Sequence, residues 1–183
     1  MARHPLTRHP LKGSERQPLP GAKAVGKADP AERLEVSVLL RRRNDAALAE
    51  HVKKLASRET AGNHLAREQF DEQFGADTTD IAAVKEFADA HGLAVVQEHA
   101  GNRTVVLSGA VAQLNAAFGV DLQRFKHGEH SYRGRIGAVQ LSDELHDVVE
   151  AVLGLDGRPA ARPRSHAHLQ PGNIRRAPPR ASS

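Results

Sequence analysis

The sequence predicts an α+β domain, and three observations carry that prediction. Apolar residues recur with a period near two in some segments and near 3.6 in others, so strands and helices both form. The two kinds of segment are interleaved along the chain, which a sheet with packed helices requires. The length, 183 residues with 39% hydrophobic content, is enough to bury one core and short for two.

The first strand lies in RLEVSVLLRR, a β-branched run centred on Val36, Val38 and Leu40. Asn44 or Asp45 then caps a helix in which Leu48, Val52 and Leu55 recur at i, i+4 and i+7. After the polar stretch SRETAGNH, LAREQFDEQFG predicts a short helix with Phe70 and Phe74 four apart and Gly75 as its stop. A third helix, TDIAAVKEFADAHG, is capped within residues 77–79 and turns Ile81, Val84, Phe87 and Ala88 inward, with Gly92 just past its end. LAVVQEH and RTVVLSG follow as strands of a hairpin, whose AGN connection has Gly101 and Asn102 suited to positive φ.

Val111, Leu114 and Phe118 define the next helix, closed by Gly119, and VDLQRF is an imperfect strand. Past the turn KHGEH, SYRGRIGAVQLS is extended. Ser142 is then expected to cap a last helix with Leu145, Val148, Val149 and Val152 on one face and Gly154 at its end. With the first helices counted as one layer, the order is β-α-β-β-α-β. That is the split βαβ, ferredoxin-like plan: an antiparallel sheet with helices on one face and the other face left for a partner.

Charge divides the chain. Residues 1–28 carry six Lys/Arg against Glu15, a net +5, and residues 157–183 carry six Arg and no acid, a net +6. A total of +4 therefore leaves −7 for the middle. The expected organisation is a disordered basic N-terminal tail over 1–29, a folded domain over 30–157, and an Arg/Pro-rich linker or tail over 158–183. There is no Cys, so disulfides and thiolate zinc sites are excluded. No stretch approaches the roughly 20 apolar residues of a membrane span, and the N-terminus lacks the apolar core of a secretory signal.

Residues that could carry chemistry do not assemble into a catalytic set. GxSxG, a phosphate loop and HExxH are all missing, and neither Ser108 nor Ser131 has a base and an orienting carboxylate placed by spacing. His127 and His130 are the closest metal-like pair, without a third ligand in sight. The expectation is therefore no catalytic residue, no metal and no cofactor. Tyr132, in YRGR, is either a stacking platform or the edge of a core.

A nucleic-acid-binding module on the same plan is the alternative reading. Such modules stack bases on aromatics of the central strands, and RTVVLSG has none. Basic tails can hold phosphates without specificity, but a middle near −7 opposes it.

An ordered series of segments carries a more specific signal: RLEVSVLLRRR, HLAREQFDEQFGA, DIAAVKEFADAHGL, AGNRTVVLSGAVAQLNAAFGVDLQRF, YRGRIGAVQL and VVEAVLGLDGRP, from about residue 34 to 159. Together they resemble the activation domain of the kumamolisin branch of the sedolisins, the serine-carboxyl peptidases. One departure is Ser142, where such domains often have Pro. The resemblance implies a subtilisin-propeptide-like fold that packs on a catalytic domain, in cis or in trans, assists its folding and blocks its active site. It implies a non-enzymatic segment of an endopeptidase zymogen, since the family's catalytic Ser, Glu and Asp and its calcium site have no counterpart in these residues.

It also implies an extracellular setting as part of a secreted zymogen, with neither membrane nor specific nucleic acid as partner. The segment after GLDGRP would lie in the peptidase cleft and be cut during acid-triggered maturation, with Arg158, Pro159, Arg162, Arg164 and His166 as the contact candidates. Two triggers are compatible with the charge map: carboxylates protonating around pH 4, or histidines such as His91, His99, His127 and His130 titrating near pH 6.

Overall fold

The computed structural model of the chain describes residues 7–57 and 65–158. Its centre is a four-stranded antiparallel sheet of β3 (Arg33–Leu40), β4 (Ala94–His99), β5 (Thr104–Ala110) and β9 (Val149–Leu153), in the spatial order β4-β5-β3-β9. All three pairings are antiparallel. This is the strand order of the split βαβ plan, with β3 and β5 as central strands. Strict alternation builds the core: Leu34, Val36, Val38 and Leu40 of β3 and Val105 and Leu107 of β5 are buried, while their neighbours along each strand are not.

Two helices cover the buried face. In α3 (Thr78–Ala90), Ile81, Val84, Phe87 and Ala88 point inward as the 3.6-residue period requires, and α4 (Val111–Phe118) contributes Val111, Leu114 and Phe118. Phe87 and Phe118 meet across the two helices with ring centroids 5.6 Å apart. Asp77 caps α3, accepting from the Thr79 N–H at 2.9 Å and its hydroxyl at 2.8 Å. These two bonds hold the Asp77 carboxylate below its ordinary range, because both favour the charged form. Gly92 ends α3 with φ +66, as its position in AHGL predicts.

The α1 helix (Asp45–Ala56) and α2 helix (Arg67–Phe74) form a peripheral arm. The expected apolar face of α1 does not bury: Leu48 and Leu55 are half-covered and Val52 is 55% exposed, because no sheet lies beneath the helix. The arm is fastened at its base by three consecutive arginines. Arg41 binds buried Asp80 with two bonds of 2.7 and 2.9 Å. Arg42 donates to the Phe74 carbonyl and lies over the Phe70 ring, and Arg43 donates to the Ala76 carbonyl. Hydrogen bonding to Asp80 is also the leading reason that the Arg41 guanidinium is held even more firmly protonated than usual.

Four further expectations are corrected. The fourth strand of the sheet is β9, where a helix was expected; only one turn, α5 (Asp143–His146), is helical. Leu145, Val148, Val149 and Val152 satisfy a helical period, but VVEAVL is also β-branched, and the open edge of β3 decides in favour of a strand. Consequently VDLQRF is not the fourth strand: β6 (Gln123–His127) joins a separate three-stranded sheet with β2 (Lys23–Lys27) and β7 (His130–Gly134).

The third correction concerns residues 7–29. Composition assigns them to a tail, yet β1 (Arg8–Pro10) pairs with β8 (Gln140–Ser142) and β2 pairs with β6. Leu11 and Ala28 are buried in the main core. Arg135 locks the segment down: its buried guanidinium donates to the Ser14 carbonyl at 2.6 Å and to the Gly137 carbonyl, and burial pulls its pKa down. In the β4–β5 turn, the residue with positive φ is Arg103 (φ +55), not Gly101 or Asn102. It is held there by bonds from its side chain to the Leu40 carbonyl and Glu150, both at 2.7 Å.

Candidate docking face and chain exit

Helices cover one face of the four-stranded sheet, and the opposite face carries Glu35, Ser37 and Leu39 of β3 and Thr104, Val106 and Ser108 of β5. Register adds Ala151 and Leu153 of β9, opposite Leu39 and Ser37, and Gln97 of β4, opposite Val106. Leu39 and Val106 are half-exposed and Leu153 is 55% exposed, so the face is a shallow apolar strip bordered by polar groups. His99 of β4, opposite Thr104, is the one ring that the register of the described residues places on it, at the edge, and β3 and β5 carry no aromatic side chain. The stacking platform of a ferredoxin-like RNA binder is thus missing from the two central strands, where such modules hold it.

At one end of this sheet lie the last of the described residues, 154–158. Gly154, directly after β9, has φ +97, and a Cβ there would meet the Glu35 carbonyl oxygen at 2.6 Å, so only glycine fits the turn. Leu155 is buried, and the Gly157 N–H donates to the Arg133 carbonyl at 2.8 Å. Arg133 in turn donates to the carbonyls of Leu155 (3.2 Å) and Gly154 (3.3 Å) and to Glu32 (2.6 Å). Glu32 also accepts from Arg124 of β6 at 3.3 Å.

Of the linker residues expected to contact a cleft, Arg158 alone lies within the described part; Pro159, Arg162, Arg164 and His166 fall outside it. Arg158 is turned back onto its own domain, donating to Asp156 at 2.8 and 2.5 Å and lying 5.9 Å over the Tyr132 ring. The Asp156 bond is the main reason its guanidinium is held further into the protonated state. Tyr132 is buried and stacked on Phe125 with centroids 5.4 Å apart, so it forms the edge of a small second core.

Ser108 faces Arg33 on the open face, and Ser131 is exposed on β7. His127 and His130 are opposite one another at the end of the β6–β7 hairpin, both exposed. Among the described residues no three His, Asp or Glu side chains are grouped as metal ligands. No helix of the described residues is long and apolar enough to cross a membrane. Arg133 and Glu32 escaped the reading of the sequence; their signal was the joint presence of YRGR and GLDGRP, which pair in space.

A ferredoxin-like sheet with one open face is a plan shared by several classes of protein, and comparison with known proteins decides among them. Residues 20–158 match the family described as Pro-kumamolisin, activation domain, and the chain belongs to that family. It is 41% identical over 157 residues to kumamolisin of Bacillus sp. (strain MN-32), a match that covers 85% of this chain and 28% of kumamolisin. It is also 26% identical over 166 residues to tripeptidyl-peptidase sed5 of Aspergillus fumigatus, covering 82% of this chain and 29% of that protein. The chain thus spans less than a third of the length of these relatives, and the matched part is the activation domain.

Proposed function

We propose that this domain is the folding helper and inhibitor of a sedolisin-type serine-carboxyl peptidase, in cis or in trans, and is released when acid triggers maturation. The observation that carries the reading is the open sheet face, with no aromatic side chain on its two central strands, in a chain whose residues 20–158 belong to the activation-domain family. The face supplies a template that the catalytic domain folds against; the segment leaving at Arg158 supplies the obstruction of the cleft. Within that segment Arg162, Arg164 and His166 are the proposed contacts, with Pro159 and Pro163 favouring an extended path into an acidic cleft. The setting is extracellular, as part of a secreted zymogen, and the chain itself performs no catalysis.

Acid release follows from the charge distribution. The folded middle carries most of the chain's acids, and carboxylates that pair with basic groups on the peptidase stabilise the complex above their free pKa. That contribution is lost as pH falls through their lower bound-state values. The reading is tested by refolding denatured catalytic domain of kumamolisin with and without the chain. A higher yield of folded peptidase, inactive until acidified, supports it; equal yields with immediate activity in both samples would remove the folding role.

A further inference from the structure

We propose that Arg133 and Arg158 form an exit clamp that fixes the point and direction at which the chain leaves the domain, and thereby which bonds beyond residue 158 lie before the peptidase's catalytic groups. The inference rests on the inhibitory role proposed above. Its basis is the run of contacts on consecutive residues after the last strand. Gly154 and Leu155 each give a carbonyl to Arg133, Asp156 gives its carboxylate to Arg158, Gly157 gives its N–H to the Arg133 carbonyl, and Arg158 covers Tyr132.

Chain ends past the last buried strand ordinarily fray, because few contacts there repay the lost backbone entropy. Here all five residues are held, although the sheet is complete at Leu153. The anchor is itself held. Arg133 is tied through Glu32 to Arg124, so the exit is fixed to the residues just before β3 and to the second sheet at once. With residues 154–158 held, only residues beyond 158 are left to reach from the docked face to the cleft. A shorter tether raises the effective concentration of the segment in the cleft and narrows the set of bonds it can present. Arg133 and Arg158 are therefore positioning residues: they act on the cleft through the segment they aim.

The test uses the full chain with Arg133→Ala, Arg133→Lys and Asp156→Ala. In the free protein, amide relaxation measured by NMR should show Gly157 and Arg158 as ordered as β7 in the wild type. Order there should be lost in R133A and D156A, partly kept in R133K, with core resonances unmoved. Each chain is then incubated with mature kumamolisin and the cut bonds beyond residue 158 are mapped by mass spectrometry. One dominant bond is expected for the wild type. Several bonds and a several-fold weaker complex are expected for R133A and D156A, with R133K intermediate. A bound wild type whose three variants share its single cut bond and its affinity overturns the clamp alone. A wild type that does not bind overturns the inhibitory role and the clamp with it. D156A leaves the Glu32 pair intact, so it remains decisive if R133A fails to fold.

Discussion

The Tyr132 hydroxyl accepts a hydrogen bond from the backbone N–H of Leu19 at 2.9 Å. A residue of β7 thus holds a stretch that its composition would place in a mobile tail, and the basic N-terminal segment is a working part of the fold. Replacing Tyr132 with Phe leaves a partly buried N–H without its acceptor, which costs about 1 kcal/mol or somewhat more. Removing residues 1–28 should cost far more, because β1, β2 and buried Leu11 and Ala28 go with them. Thermal unfolding measured by circular dichroism checks both, with a lower midpoint for Tyr132→Phe and a much lower one, or no transition, for the truncated chain.

That segment also shows where the sequence could be read and where it could not. Elements with one strong period and explicit punctuation were legible: α3 runs from its Asp77 cap to Gly92, and β3 alternates without a break. The open face was legible too, since it follows from the order of elements. β2 was not, because KAVGK has a single large apolar residue, Val25, which is 59% exposed; its strand state comes from pairing with β6 and not from its own residues. Nor was β9, where Val149 and Val152, three apart, fit the helical period, and both bury on one side of the strand only because the pairing with β3 is broken by a bulge. The exit clamp was invisible for a different reason, since Arg133 and Gly154 are far apart in sequence and only the fold joins them.

Arg41 and Asp80 join the end of β3 to the first turn of α3. Asp80 is buried with its side chain 6% exposed, whereas Arg41 is half-exposed and screened by water. Asp80→Ala should therefore destabilise by about 1–2 kcal/mol, near the lower range for bonds to a charged group. In a domain of this size that lowers the melting midpoint by about 2–4 °C per kcal/mol. A melting curve superposable on the wild type would mean that the pair adds nothing to the join between β3 and α3.

Asp77 sets part of the acid limb of stability. Its folded pKa lies below the unfolded value, so its contribution is complete above the ordinary Asp range near 3.9 and is lost as pH falls through the lower folded value. Asp77→Asn should thus melt lower than the wild type by a constant margin above about pH 5, and that margin should shrink to nothing under strongly acid conditions. Melting midpoints from pH 7 to pH 2 provide the check; a margin that grows on acidification would contradict the assignment.

Charge placed on the open face should separate binding from folding. Leu153 is largely exposed, so Leu153→Glu should change stability by no more than about 0.5 kcal/mol. Buried against a peptidase surface, the same carboxylate loses its water without gaining a partner, and binding should weaken by roughly tenfold or more. Titration calorimetry of wild type and variant against one catalytic domain measures the difference, and equal affinities would move the contact surface elsewhere.

Inhibition and acid release are both read from the dissociation constant of the full chain for the mature catalytic domain of kumamolisin, measured from pH 7 to pH 3. A complex is expected at pH 7, with an affinity that falls by roughly tenfold or more as the interfacial carboxylates protonate around pH 4. A fall centred near pH 6 would assign the trigger to imidazole groups in the complex instead of carboxylates. No binding at any pH would contradict the inhibitory role, and binding that does not change between pH 7 and pH 3 would contradict acid release.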